Sequence, residues 1–214
     1  SWEARGSIDA DSWRKAAEAG LLCAGIPEAY GGGGGTRAHE AAIHQEVSRA
    51  GLAGSFGIAN SISSSIVAHY ILAYGSEAQK QRWLPKFCTG ELITAIAMTE
   101  PDTGSDLQSV RTRAVRDGDE WVIDGQKIWT SLAQDSSYGI LIARTAPDAP
   151  KHAGITYFVC PMDAPGVEIR PIIEMTGAHT FNEVFLSGVR LTDEHVVGEV
   201  HRGWSLAKVT LANE

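Results

Sequence analysis

The chain has 214 residues, enough for one or two compact domains, with 43% hydrophobic residues and a formal net charge of −8. An acidic chain with no run of Lys or Arg argues against binding nucleic acid or anionic lipid. No apolar run approaches the ~20 residues that span a bilayer, so membrane insertion is not expected.

Glu3, Arg5, Asp9, Asp11 and Arg14 interrupt the N-terminus, which therefore does not read as a signal peptide. Cys23, Cys88 and Cys160 are scattered, without a C-x-x-C pair. Such a set points to free thiols in a reducing, intracellular compartment rather than to a disulfide framework or a zinc site.

Residues 1–91 are predicted to form an all-α N-terminal domain. Trp13, Ala16, Ala17 and Leu21 fall at helical spacing, with Gly20, Gly25 and Pro27 as breakers. Gly31 to Gly35 then precede a second helical pattern carrying Ala38, Ala41, Ala42 and Val47. The glycine run is not a P-loop, because Gly35 leads to Thr36-Arg37 instead of Lys-Ser/Thr and no strand precedes it; it reads as a flexible connector. His39 and His44 in His39-Glu40-Ala41-Ala42-Ile43-His44 stand five apart, which turns them roughly 140° from one another on a helix and prevents a shared metal. A third pattern carries Ile58, Ile62, Ile66 and Tyr70. A fourth opens at Ser76 and Gln79, spaced as a capping box, and is closed by Pro85 and Gly90.

From Leu92 the texture changes to short β-type runs: 92–98, 111–115, 121–123, 127–130, 139–144, 155–160, 167–170 and 184–186. Asp124-Gly125 is predicted to be a two-residue hairpin turn and Asp117-Gly118 a looser one. The spacing predicts an antiparallel barrel or sandwich over residues 92–201. After Gly203 the pattern is helical again, with Trp204, Ala207, Lys208 and Leu211 on one face. A helix that stops at Glu214 leaves an apolar stripe uncovered, so residues 202–214 are expected to begin a further domain; the family resemblance described below makes that domain a truncated C-terminal helical bundle. The fold class is α+β.

The stretch Ala97-Met98-Thr99-Glu100-Pro101-Asp102-Thr103-Gly104-Ser105-Asp106 gathers hydroxyls and turn residues after an apolar strand. Such a loop presents several donors together, suited to a flavin edge or a phosphate, although a plain turn has the same composition. No G-x-S-x-G elbow surrounds Ser105, which excludes the common hydrolase reading. Further on, Asp124-Gly125-Gln126-Lys127-Ile128-Trp129-Thr130-Ser131 carries an aromatic and a hydroxyl pair to the end of a strand; a strand tryptophan is also common in a core.

Together these segments resemble the acyl-CoA dehydrogenase family. Thr99-Glu100-Pro101 with Gly104-Ser105-Asp106 is similar to its flavin loop, and Asp124-Gly125-Gln126-Lys127-Ile128-Trp129 to its second signature. Gly25-Ile26-Pro27, Tyr30-Gly31-Gly32, Gly75-Ser76-Glu77, Leu84-Pro85, Thr176-Gly177 and Glu183-Val184-Phe185 extend the resemblance over the chain.

The resemblance implies an FAD enzyme that converts an acyl-CoA thioester to a trans-2-enoyl-CoA and passes electrons to an electron-transferring flavoprotein. It implies that Met98 and Thr99 offer donors to the pyrimidine edge of the flavin and that Trp129 packs beside the isoalloxazine. Thr130 and Ser131 bring hydroxyls near the ring, and Ser105 lies where the pyrophosphate and substrate pass. Ile96 stands where an aromatic is frequent, and Ser131 where threonine is. The base, a glutamate, is expected downstream of Glu214, so no catalytic residue is assigned and this polypeptide alone is expected to be inactive. The family also implies a homo- or hetero-oligomer, frequently a tetramer. It places such a protein in a bacterial-type cytoplasm, or in the mitochondrial matrix after removal of a transit peptide. A flavin oxidase or monooxygenase of the same fold and a non-catalytic subunit are the alternatives.

Overall fold

The computed structural model describes residues 7–213, with side chains through residue 209. Glu3, Arg5, Glu214 and the side chain of Leu211 lie outside the described residues. The chain forms two compact units that divide between Thr94 and Ala95.

In the helical unit, α1 (Ala10–Glu18) is capped by Asp9, whose carboxylate accepts from Ser12 N at 2.8 Å. It buries Trp13 and Ala16, with the Trp13 ring 5.0 Å from Phe56. The glycine run that follows is packed rather than flexible. Gly33 N donates to Cys23 O, Gly34 N to Ile26 O and Gly35 N to Ala24 O, and a Cβ on Gly32 would stand 2.2 Å from Ile26 O. Backbone has to approach backbone here, and only glycine leaves the room.

Helix α2 (Arg37–Arg49) turns a different face inward from the predicted one. Ala38, Ala41 and Ala42 are exposed, whereas Glu40 and Val47 are buried and Ile43 and His44 half-buried. Alanines contribute little apolar area, while Val47 and Ile43 contribute more and Glu40 finds partners inside: His69 Nε2 at 2.6 Å and Arg37 at 3.0 Å. The two histidines separate, as their spacing requires. His39 Nδ1 accepts from Thr36 N, and His44 Nε2 meets Ser65 Oγ.

The third helix, α3 (Ala53–Tyr74), contains π-helical turns over Ala53–Gly57 and Ser61–Val67. The widened turns rotate the predicted stripe: Ile66 and Tyr70 are buried, Ile58 and Ile62 only partly, and Asn60, Ser63 and Ser64 are buried with them. Contrary to the sequence expectation, this 22-residue helix is long and apolar enough to cross a membrane, with a mean hydropathy of 1.3. The described fold uses it as a core helix. Of its most apolar window 61% is buried, and its polar groups are hydrogen-bonded within the unit, Asn60 Nδ2 to Leu21 O and Ser64 Oγ to Asn60 Oδ1. In α4 (Glu77–Cys88) the capping box forms as predicted, with Gln79 N donating to Ser76 Oγ and Ser76 N to Gln79 Oε1. The helix continues through Pro85 to Cys88, because proline removes one intrahelical bond while Thr89 and Gly90 complete the closing turn.

The second unit is built on seven strands among the described residues, the first of which starts at the last residue of the helical unit: β1 (Thr94–Ala97), β2 (Arg113–Asp117), β3 (Glu120–Ser131), β4 (Tyr138–Arg144), β5 (Ile155–Pro161), β6 (Val167–Pro171) and β7 (Phe181–Thr192). They form one curled sheet in the order β1-β4-β2-β3-β7-β6, with β5 on β4. The β2–β3, β3–β7, β6–β7 and β4–β5 pairings are antiparallel, as expected; β2 also meets β4 in one parallel pair, Arg113 opposite Arg144. Alternate residues fill the interior, among them Ala114, Trp121, Ile123, Leu141, Phe158 and Val189.

Asp124-Gly125 is not a hairpin turn. The chain turns at Gly118-Asp119, and β3 runs straight through Gly125. Gly125 instead lets Thr112 approach, since a Cβ there would lie 2.4 Å from Thr112 Oγ1. The Asp124 carboxylate accepts from Gly188 N at 2.9 Å, pinning a bulge in β7. Helix α5 (Gly203–Asn213) packs within this unit, with Leu206 and Ala207 buried and Lys208 exposed.

Gly32→Ala is expected to destabilise the protein by about 2 kcal/mol, whereas Gly54→Ala, which meets nothing within 4 Å, is neutral or stabilising. Urea unfolding of both variants checks the contrast; equal stability would restore the flexible reading of the glycine run.

Candidate functional site

The two motif segments meet at the end of β1. Ile128 N donates to Thr99 O at 2.9 Å, which places Thr99 beside the Ile128-Trp129 step of β3. Lys127 lies in the interior with no exposure, where its ammonium donates to Glu100 Oε1 at 2.8 Å and to Met98 O at 3.1 Å. Glu100 also accepts from Arg111 N at 2.6 Å and Thr112 N at 2.9 Å. Burial pushes the Lys127 ammonium down to about 8, the attraction of Glu100 offsetting only part of it. Burial raises the Glu100 carboxyl, but the Lys127 charge and the donors around it win and hold it below its ordinary value.

Around this pair β3 is distorted. Lys127 pairs with Val184 and Thr130 with Asn182, so β3 carries one residue more than β7 between those pairs. The bulge puts Trp129 at φ 60°, and Leu132 follows at φ 56°. Neither residue is glycine, and each such conformation costs on the order of 1 kcal/mol. Long-range bonds hold it: Asn182 Nδ2 donates to Thr130 O at 3.0 Å, and Leu132 N to Thr180 O at 2.8 Å.

As a result the Trp129 ring stands 55% exposed, braced edge-on by Phe181 at 5.9 Å. The hydroxyl and N–H of Thr99 and the hydroxyls of Ser105 and Ser131 have no partner among the described residues. Ser105 is exposed at the far end of the loop, beyond the Glu100–Thr103 turn. Met98 and Thr130 are placed differently. The Met98 side chain is buried and its carbonyl is taken by Lys127. The Thr130 hydroxyl is buried without a partner on the inner side of the strand, so this residue offers a surface ligand no hydroxyl. Ile96 is half-buried in β1.

Thr99, Ser105, Trp129 and Ser131 lie on an open surface, with the Met98 and Thr130 side chains beneath it. A groove of about 810 Å³ between α1 and the end of α4 contains none of them, and neither does a hollow of about 330 Å³ beside Trp121 and Asp193. Among the described residues no group of three His, Cys, Asp or Glu side chains is arranged to hold a metal.

An exposed indole beside unpaired donors is a surface shaped for a flat, polar-edged ligand, and comparison with known proteins gives that surface a context. Residues 1–91 match the model of the acyl-CoA dehydrogenase N-terminal domain, and residues 95–189 that of the acyl-CoA dehydrogenase middle domain. The chain belongs to the acyl-CoA dehydrogenase family. Acyl-CoA dehydrogenase FadE34 of Mycobacterium tuberculosis is 45% identical over 92% of this chain and 27% of its own length. The crystal structure of an acyl-CoA dehydrogenase from Geobacillus kaustophilus superposes with a TM-score of 0.91 at 37% identity, covering 99% of this chain and 56% of that one. The ChsE4-ChsE5 complex from M. tuberculosis follows at a TM-score of 0.84 and 37% identity, over 96% of this chain and 52% of that one. The chain thus spans about half the length, or less, of these relatives.

Within this member of the acyl-CoA dehydrogenase family, sequence reasoning matched Glu100 and Lys127 to motifs but assigned them no role. Their signal was a lysine at the same alternating position of the strand as the apolar Trp121 and Ile123. Nothing in the sequence announced the positive φ of Trp129, which arises from register.

Because Glu100 is held below 4.5, its contribution to stability is fully present above that value and is lost as pH falls through the lowered one. Glu100→Gln cannot titrate and is expected to flatten the acid limb of the stability profile. Urea unfolding at stepped pH checks it, and an unchanged acid slope would contradict it.

Proposed function

We propose that this chain is the flavin-holding part of an acyl-CoA dehydrogenase. The enzyme takes hydrogen from the α and β carbons of an acyl-CoA thioester, leaves a trans-2-enoyl-CoA, and passes the electrons to an electron-transferring flavoprotein. The observation that carries the reading is the pairing of the unpartnered Thr99 donors with the exposed, strained Trp129. FAD, when bound, supplies the hydride acceptor, a role no side chain can fill.

The residues fit such a group. The Thr99 N–H and hydroxyl offer donors to an electron-rich ring edge, and donors there favour the reduced, more negative form. Trp129 gives a flat apolar face that excludes water. Ser131 adds a hydroxyl at the strand end and Ser105 one at the loop end, the latter suited to a pyrophosphate or to passing substrate. Met98 contributes through its backbone, whose carbonyl anchors the loop. Thr130 contributes through its carbonyl, which Asn182 holds.

None of the six side chains is a carboxylate or an imidazole, so removal of the α-proton falls to a group other than these six. The heteromeric ChsE4-ChsE5 neighbour supports an oligomeric enzyme. Three buried, free cysteines suit a reducing compartment such as the cytoplasm.

The test is FAD titration of the full-length protein, followed by anaerobic addition of acyl-CoA. Wild type is expected to bind FAD and to bleach it with acyl-CoA. Trp129→Ala is expected to weaken FAD about tenfold, roughly 1.4 kcal/mol, through the lost ring contact. A full-length protein that binds no FAD would overturn the reading. Rapid reoxidation by air, with no transfer to an electron-transferring flavoprotein, would move it to an oxidase.

A further inference from the structure

We infer that the Lys127–Glu100 pair is a positioning element that aims the Thr99 N–H, and thereby sets both the affinity for flavin and its reduction potential. The inference rests on the preceding reading that flavin binds beside Thr99 and Trp129.

The geometry is closed on three sides. The peptide joining Met98 to Thr99 is trans and planar, so its C=O and N–H point in opposite directions. Lys127 takes that carbonyl at 3.1 Å from the interior, and the Thr99 N–H is therefore directed away from the buried lysine. On the other side of the residue the Thr99 carbonyl is taken by Ile128 N at 2.9 Å. Both carbonyls flanking Thr99 are fixed, one by the ammonium and one by the strand, and the N–H between them is left as a free donor.

Glu100 fixes the lysine in turn. Its carboxylate is anchored by Arg111 N and Thr112 N on the segment leading into β2, so the ammonium cannot shift without breaking bonds to a third element. Lys127 is also the residue from which the bulge departs, two positions before Trp129. One side chain thus fixes the donor and the ring on either side of it.

A plain stabilising role is the competing explanation. A buried ion pair is a poor device for stability alone, since apolar residues of similar volume commonly do as well or better. An apolar pair would leave the Met98 carbonyl without its donor and the Met98–Thr99 peptide free to turn. The two explanations therefore part when charge is removed from both residues together.

The experiment uses the full-length protein loaded with FAD. Lys127→Met alone leaves Glu100 buried without its cation and is at risk of not folding. The test variants are therefore the double change Glu100→Gln with Lys127→Met, and Lys127→Arg, which keeps the charge pair but moves the donors away from the Met98 carbonyl. In both, oxidised FAD is expected to bind at least tenfold more weakly. Reduced FAD is expected to lose a further factor of ten, equivalent to a midpoint about 30 mV lower for the two-electron couple. A folded variant of either kind that keeps the wild-type affinity for both redox states and the wild-type midpoint overturns the inference. A loss of affinity equal in the two states, tracking the loss of thermal stability, overturns it as well and leaves the pair a structural staple. Wild-type protein that binds no FAD defeats the preceding reading, an outcome separate from unchanged variants of a flavin-binding wild type.

Discussion

An ammonium with no exposure, set among apolar strands, has to be neutralised where it stands or the strand cannot remain where it is. Desolvating such an ion costs several kcal/mol, and Lys127 recovers it by pairing with Glu100 at 2.8 Å and donating to Met98 O. Glu100 has further acceptor capacity and fills it with Arg111 N and Thr112 N. The consequence reaches beyond two side chains. The loop after β1, the entry to β2 and the middle of β3 become a single piece, and every residue of the candidate site is attached to it.

Two of the four non-glycine residues with positive φ among the described residues lie at the same place. Trp129 and Leu132 adopt left-handed backbone within four residues of each other, and neither is the glycine such positions favour. A fold that places large apolar residues there must hold them by bonds made elsewhere, here from Asn182 and Thr180. What is gained is an aromatic face turned outward from a strand whose neighbouring positions, Lys127 and Thr130, both face inward. A regular strand would alternate, and could not present Trp129 outward while burying both of those residues.

The helical unit solves a different problem with similar means. Its central helix α3 is apolar enough for a membrane yet carries Asn60, Ser63 and Ser64, and the unit provides each with a partner. Glu40 is accommodated by His69 and Arg37 in the same manner. Buried polar groups of this kind reward one arrangement of the helices and penalise others, since each group is satisfied only in register.

Legible in the sequence alone were the helical and β textures, the capping box at Ser76, and the two motifs that frame the candidate site. These are local: periods of 3.6 and 2, caps, and residue types at short spacing, all set within a few residues of one another. The inward face of α2, the role of Gly125 and the packed glycine run were decided by partners farther along the chain. So was the division of the six site residues, with Thr99, Ser105, Trp129 and Ser131 outward and the Met98 and Thr130 side chains buried. A bulge depends on the count of residues in the opposing strand, and an ion pair on which loop arrives opposite a lysine; neither quantity exists in one segment alone. The motifs located the candidate site, but the donor and the ring became a surface only when Glu100 and Lys127, 27 positions apart along the chain, met in the interior.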